Sequence, residues 1–180
     1  IKNVLRRVDE QVTTRINWDS IEVNSKNNSE ENRLALVETL QCIPGVAMII
    51  EVQQRDFTDL HDIYEKTLAV HAAHIENKTF CVRVKRTGEH EFSSLQVEQY
   101  VGGGLNQAVE SARVKLKNPD VTIHLEIKRN DLFIVTERYK GLGGFPIATQ
   151  EDVLSLMSGG FDSGVSSFQM IKKGARTHFC

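Results

Sequence analysis

The sequence predicts an α+β protein for most of its length, followed by the opening of an α/β unit. Three observations carry this. Apolar residues recur at helical spacing in residues 30–41 and again from Leu60 to Ile75. Residues 79–86, 121–127 and 132–136 alternate as strands, the last two joined directly by the turn Arg129-Asn130-Asp131. Near the end Val153-Leu154-Ser155-Leu156-Met157 runs straight into Ser158-Gly159-Gly160, and residues 163–173 then read as a helix closed by Gly174. That last order is strand, glycine-rich loop, helix.

Composition bounds the rest. A chain of 180 residues, 40% hydrophobic and 26% charged, has room for one to two ordinary globular domains. Aromatic residues are 7%, which argues against a large aromatic binding surface. A net charge of −2 gives no global attraction to nucleic acid, so any RNA affinity must come from a local patch. No apolar run approaches the ~18 residues of a membrane span, and Ile1-Lys2-Asn3-Val4 lacks the plan of a signal peptide, so a cytoplasmic protein without a membrane partner is expected. Cys42, Cys81 and Cys180 are isolated and read as buried structural thiols rather than a zinc site or a disulfide framework. Ile1 stands in what reads as a helix under way, and residues 176–180 where a second strand begins, so a piece of a longer protein is expected.

Along the chain, Ile1, Val4, Leu5 and Val8 mark the end of an amphipathic helix. Ile16, Trp18, Ile21 and Val23 alternate as a strand, with a slip of one at Asp19-Ser20. The polar residues 24–29 form a turn and helix start, Leu34, Leu36, Val37 and Leu40 line the next helix, Ile43-Pro44-Gly45 stops it, and residues 46–52 form an apolar strand. Helix, strand, helix, strand is most of a small ferredoxin-like domain.

Thr58 or Asp59 caps the helix carrying Leu60, Ile63, Tyr64, Leu68 and Ile75. Its His61, His71 and His74 lack the partners of a metal motif and read as solvated or packing side chains. In the strand that follows, Phe80, Val82 and Val84 face one way, and Cys81, Arg83 and Lys85 the other. Ser93 or Ser94 starts a long helix to about Lys117, in which Gly102-Gly103-Gly104 marks a break or a close packing contact rather than a second phosphate loop. Asn118-Pro119-Asp120 is a turn before the final pair of strands, and residues 141–146 read as a flexible joint. Arg83, Lys85, Arg86, Arg113, Lys115 and Lys117 are candidates to converge on an RNA backbone, with a solvated charged face as the other reading.

The glycine-rich loop carries the chemistry. Gly159 and Gly160 permit backbone angles closed to other residues and let a polyphosphate approach the main chain, while Ser158 and Ser163 add hydroxyls. Asp162 can cap the helix or help hold a magnesium ion. The competing reading is an ordinary turn with Asp162 or Ser163 as N-cap. No Lys-Ser/Thr pair follows the glycines, so the loop is not a Walker motif.

Ser158-Gly159-Gly160-Phe161-Asp162-Ser163 instead resembles the signature of the PP-loop ATP pyrophosphatases. With the N-terminal α/β unit, the strand Phe80-Cys81-Val82-Arg83-Val84-Lys85-Arg86, the stretch Tyr100-Val101-Gly102-Gly103-Gly104-Leu105-Asn106 and Gly143-Gly144-Phe145-Pro146, it stands in the order seen in the bacterial tRNA uridine 4-sulfurtransferases, the 4-thiouridine synthases that also serve thiamine biosynthesis. The resemblance implies a truncated ferredoxin-like domain over residues 1–53, a THUMP RNA-binding domain over 54–147, and over 148–180 the start of an α/β PP-loop domain of the adenine nucleotide alpha hydrolase-like kind.

The resemblance also implies tRNA as partner, ATP with Mg2+ as cofactors, adenylylation of a tRNA uridine, and replacement of its 4-oxygen by persulfide sulfur from a cysteine desulfurase. A sulfur carrier protein is the implied partner for thiazole synthesis, and a homodimer is left open. It assigns ATP to Leu156, Met157, Ser158, Gly159, Gly160, Asp162 and Ser163. It assigns no catalytic residue and no metal ligand here, so residues 1–180 alone are expected not to thiolate tRNA. The alternatives are a non-catalytic THUMP RNA-binding module and another PP-loop tRNA thiolase.

Overall fold

The computed structural model describes residues 1–18 and 20–180, so Asp19, half of the slip noted in the sequence, lies outside the described residues. The elements run α1 (Lys2–Leu5), β1 (Thr13–Ile16), β2 (Ile21–Asn24), α2 (Glu30–Gln41), β3 (Met48–Asp56), α3 (Leu60–Ile75), β4 (Thr79–Thr87), α4 (Ser94–Ala108), β5 (Arg113–Val114), β6 (Val121–Lys128), β7 (Asp131–Lys140), β8 (Val153–Ser155), α5 (Phe161–Lys172) and β9 (Thr177–Phe179). They fall into two compact units, one of Ile1–Ile49 with Tyr139–Cys180 and one of Ile50–Arg138.

In the first unit, the strand expected over residues 16–23 is two antiparallel strands, Thr13 facing Asn24 and Ile16 facing Ile21. The change of phase in the apolar pattern was the chain reversing, closed by Asn17 N–H donating to the Ser20 carbonyl at 2.8 Å. Ser29 caps α2 by accepting the Asn32 N–H, and Glu30 and Glu31 oppose the helix dipole in its first turn. Leu36 and Leu40 of α2 then pack against Leu5 and Val12.

Residues 141–146, expected to be a flexible joint, are a hydrogen-bonded strap. Gly143 N–H donates to Val46 O at 2.8 Å, Gly45 N–H to Gly143 O at 2.8 Å, and Phe145 N–H to Lys172 O at 3.0 Å. Gly144 has φ +76°, and a Cβ there would run into the Lys172 carbonyl. Gly141 and Gly144 serve close approach to the Val46 and Lys172 carbonyls, and Gly143, at φ +68°, serves the left-handed turn between them.

The second unit holds a sheet of order β3-β7-β6-β4-β5. β4 and β6 are parallel, from Phe80 beside Val121 to Thr87 beside Lys128, and β6 and β7 form the antiparallel pair read from the sequence. One face of the sheet, with Phe80, Val82, Ile123, Leu125, Ile127, Leu132 and Ile134, packs on Ile63 and Ile75 of α3 and on Val97, Val101 and Leu105 of α4. Asp59 caps α3, and Ser93 with Gln96 forms a capping box on α4. The three glycines do not break α4. A Cβ on Gly104 would lie 2.5 Å from Cε2 of Tyr64, so this glycine lets the two helices approach.

Two expectations are corrected here, and one of the three cysteines is buried as expected. The helix expected to reach Lys117 ends at Ala108, because Arg113 N–H donates to Lys78 O at 3.1 Å and Lys115 N–H to Phe80 O at 2.8 Å, drawing the chain alongside β4 as β5. Cys81 is the buried thiol expected, although it shares the strand phase of Arg83 and Lys85, with its Sγ 3.7 Å from the Thr122 hydroxyl. Cys42 and Cys180, expected to be buried, are exposed. No helix among the described residues is long and apolar enough to cross a membrane.

Candidate nucleotide loop and cationic surface

β8 and β9 are parallel, Val153 beside Thr177 and Ser155 beside Phe179. The ladder continues as Cys180 N–H donates to Ser155 O at 3.0 Å and Met157 N–H to Cys180 O at 2.8 Å. Leu156 and Met157 are exposed at this strand end. The chain then turns through Gly159 at φ +76°, a conformation that suits glycine, and enters α5 through Gly160 as N-cap, φ −84° and ψ 158°.

Neither Asp162 nor Ser163 is the cap. The turn at Gly159 starts the helix at Phe161, two residues before the expected Ser163, so both lie inside the first turn, where the Ser163 hydroxyl donates to Gly160 O at 2.8 Å. No side chain caps α5. Its first-turn N–H groups and the positive end of its dipole therefore meet whatever enters from outside. Space is open: a Cβ at Gly159 or Gly164 would meet nothing within 4 Å. A phosphate group fits this exposed, uncapped turn. The carboxylate beside it is Asp162, and among the described residues no three or more His, Cys, Asp or Glu side chains gather as a metal site.

Ser167 is a residue the sequence reading missed. It is buried, its Oγ 2.5 Å from Ser155 Oγ in β8 and donating to Ser163 O at 2.6 Å. That pair of contacts ties strand to helix and sets the loop between them. The signal was present: Ser163 and Ser167 stand one helical turn apart.

The six candidate cations do not all share one surface. Arg83 and Lys85 are exposed on β4, in the strand phase opposite to Val82 and Val84, with His124 and Glu126 of β6 beside them in register. The Arg83 guanidinium meets Glu98 Oε2 at 3.4 Å and donates to Leu116 O at 3.2 Å, which places the exposed Lys115 and Lys117 in its neighbourhood. Arg86 has the opposite strand phase, and its guanidinium is held by Gly88 O and His90 Nδ1, both at 3.0 Å. Arg113 Nη1 folds back onto Glu110 O at 2.5 Å and Ala112 O at 2.7 Å.

The structure adds neighbours. Burial holds the His124 imidazole below its ordinary pKa, with the charges of Arg138 and Arg83 pushing the same way and Glu126 opposing. Lys128 lies over the Phe133 ring at 5.2 Å. These positions were legible only once β6 was paired with β4, because alternate residues of two parallel strands share a face.

Fold and loop together define a class: an α+β domain followed by a strand-loop-helix shaped for phosphate. Residues 57–137 match the THUMP domain, and residues 148–180 match the thiamine biosynthesis protein ThiI. A tRNA sulfurtransferase of Colwellia psychrerythraea is 81% identical over all 180 residues, which span 37% of that relative's length. The chain thus matches THUMP and ThiI models over two separate segments and is similar to tRNA sulfurtransferases, of which it spans little more than a third of the length. Two solved structures share its fold. PH1313 from Pyrococcus horikoshii has a TM-score of 0.78 at 25% identity, covering 99% of this chain and 59% of its own. A 4-thiouridine synthetase in complex with RNA and bound ATP has a TM-score of 0.78 at 22% identity, covering 99% of this chain and 46% of its own.

Proposed function

We propose that this chain serves ATP-dependent transfer of sulfur to tRNA, forming 4-thiouridine. The observation that carries the reading is the uncapped α5 N-terminus behind the left-handed Gly159, a turn with open space before it. Its similarity to tRNA sulfurtransferases supports tRNA as the substrate. The N–H groups around Gly160, with Ser158, Gly159, Asp162 and Ser163, hold the phosphates, while Leu156 and Met157 offer strand-end backbone to the adenine side. Bound ATP, with Mg2+, supplies an adenylyl group that turns the uracil 4-oxygen into a leaving group for replacement by persulfide sulfur.

Arg83 and Lys85, with Lys115 and Lys117 nearby, hold the tRNA backbone by charge. Arg86 and Arg113 shape the turns on either side. A cysteine desulfurase supplies the sulfur and a sulfur carrier protein takes it to thiazole synthesis, all in the cytoplasm, with a homodimer as the assembly to test by mass in solution.

The test uses the full-length protein carrying this sequence, unmodified tRNA, ATP, Mg2+ and a persulfide donor, with AMP release and nucleoside mass as readouts. The expected outcome is AMP together with 4-thiouridine, both lost in Ser158→Ala/Asp162→Ala while tRNA binding is kept. Full activity in that variant would overturn the loop assignment. tRNA binding without AMP release would make this a binding module, and a 2-thiolated product would make it another thiolase.

A further inference from the structure

A second cation-lined feature lies in the Ile50–Arg138 unit, away from the residues assigned to RNA above. β3 is an edge strand of the sheet, and Gln53 and Arg55 stand two apart on one of its faces. Lys66, Val70 and His74 stand four apart on α3, so they form one stripe along that helix. The two rows meet around a cavity of about 380 Å³, closed at one side by Thr136 of β7.

None of its lining residues is acidic, and the one carboxylate that reaches a lining cation is Asp62, ion-paired with Lys66. Lys66 Nζ donates to Asp56 O and to Asp62 Oδ2, each at 2.7 Å, which orients the ammonium and leaves it a further donor. Arg55 spends one nitrogen on Gln53 Oε1 at 3.1 Å and touches Gln54 O at 3.4 Å with another, leaving the rest of its fork. The Gln53 oxygen is occupied by Arg55, so what Gln53 still offers is its amide N–H₂. The Thr136 hydroxyl points its proton to Glu51 O at 3.3 Å. Donors therefore outnumber acceptors on a floor made partly of the Val70 side chain, the balance that suits a phosphate oxygen.

We propose that the groove between β3 and α3 is a phosphodiester-binding subsite, in which Arg55, Lys66, Gln53 and His74 grip a backbone phosphate of the RNA at a point separate from the Arg83 and Lys85 face. This rests on the tRNA reading above. Two separated footholds fix the orientation of a rigid RNA, whereas one cationic face alone leaves it free to rotate. Lys66 is placed by its contacts with Asp62 and Asp56, so Arg55 and His74 are the residues to change.

Labelled unmodified tRNA titrated with the full-length protein over a range of salt gives the test. Arg55→Gln/His74→Gln is expected to weaken binding roughly tenfold and to make the dependence of log K on log salt shallower by about one unit, with an unchanged unfolding midpoint. Arg55→Lys with His74 intact is expected to keep the wild-type slope. If wild type binds and Lys85→Glu weakens it, yet the double variant keeps both affinity and slope, the groove assignment falls and the tRNA reading stands. If Arg55→Gln and Arg55→Lys bind alike, charge in the groove is irrelevant and the assignment falls. If wild type binds no tRNA, the tRNA reading falls and takes the groove with it. Inorganic phosphate at constant ionic strength separates the sources: if it shifts the Gln53 and His74 resonances and tRNA does not, the groove holds a small anion and the RNA assignment is overturned.

Discussion

His71 gives the sharpest physical test of the second unit. It lies on α3, 4% exposed, and neither ring nitrogen has a hydrogen-bond partner of good geometry. Burial pushes its pKa down to about 4, with the neighbouring His74 adding repulsion and the Val135 backbone opposing it weakly. Unfolding restores an ordinary imidazole, so below its usual pKa the unfolded chain binds a proton that the folded chain refuses. Stability is therefore complete above the unfolded pKa and drains away as pH falls toward the folded one. Taking about 6.5 and about 4 as the two values, the loss between about pH 7 and about pH 5 is about 2 kcal/mol. The carboxylates held low by hydrogen bonds, such as Asp62, lose their contribution at lower pH, below the ordinary carboxylate value of 3.8. His124 is also depressed, so the comparison must be with His71→Leu, which removes one of the two. Denaturant unfolding followed by amide resonances in β4 and β6 should show a shallower pH slope in His71→Leu. Equal slopes would refute the buried neutral imidazole, as would a His71 ring that titrates near its ordinary value.

Two further predictions concern packing. Gly104→Ala places a methyl against the Tyr64 ring and is expected to cost about 1–3 kcal/mol, whereas Gly103→Ala, with nothing within 4 Å, should gain up to about 1 kcal/mol from helix propensity; denaturant midpoints of the pair read the difference. Ser167→Ala strips Ser155 of its hydroxyl partner, for an expected loss of about 1–2 kcal/mol, and hydrogen exchange should speed up at residues 158–163.

Much of the fold could be read locally. Apolar spacing and the Ser29, Asp59 and Ser93 caps placed α2, α3 and the start of α4, because a cap and a periodic stripe act within a few residues. The end of α4 could not be read so. Residues 109–117 carry no strong stop signal, and what ends the helix is the unpaired edge of β4, remote in sequence. The same holds for residues 141–146: their glycines signal freedom until the Val46 and Lys172 carbonyls are placed beside them. Among the candidate site residues, the loop 158–163 was visible because its chemistry is contiguous. The cations were visible as residues but not as a surface, since strand pairing decides which of them share a face.

By itself, then, the sequence determined the capped starts of α2, α3 and α4, the β6–β7 pair and the glycine-rich entry into α5, all properties of short-range spacing. Tertiary structure alone decided that Gly160 rather than Asp162 caps α5, that Arg86 is turned into a loop while Arg83 and Lys85 face outward, and that β3 and α3 enclose a donor-rich groove. Each depends on which backbone and side-chain groups from distant segments meet, and hydrogen-bonding groups take the partners that the fold brings within reach.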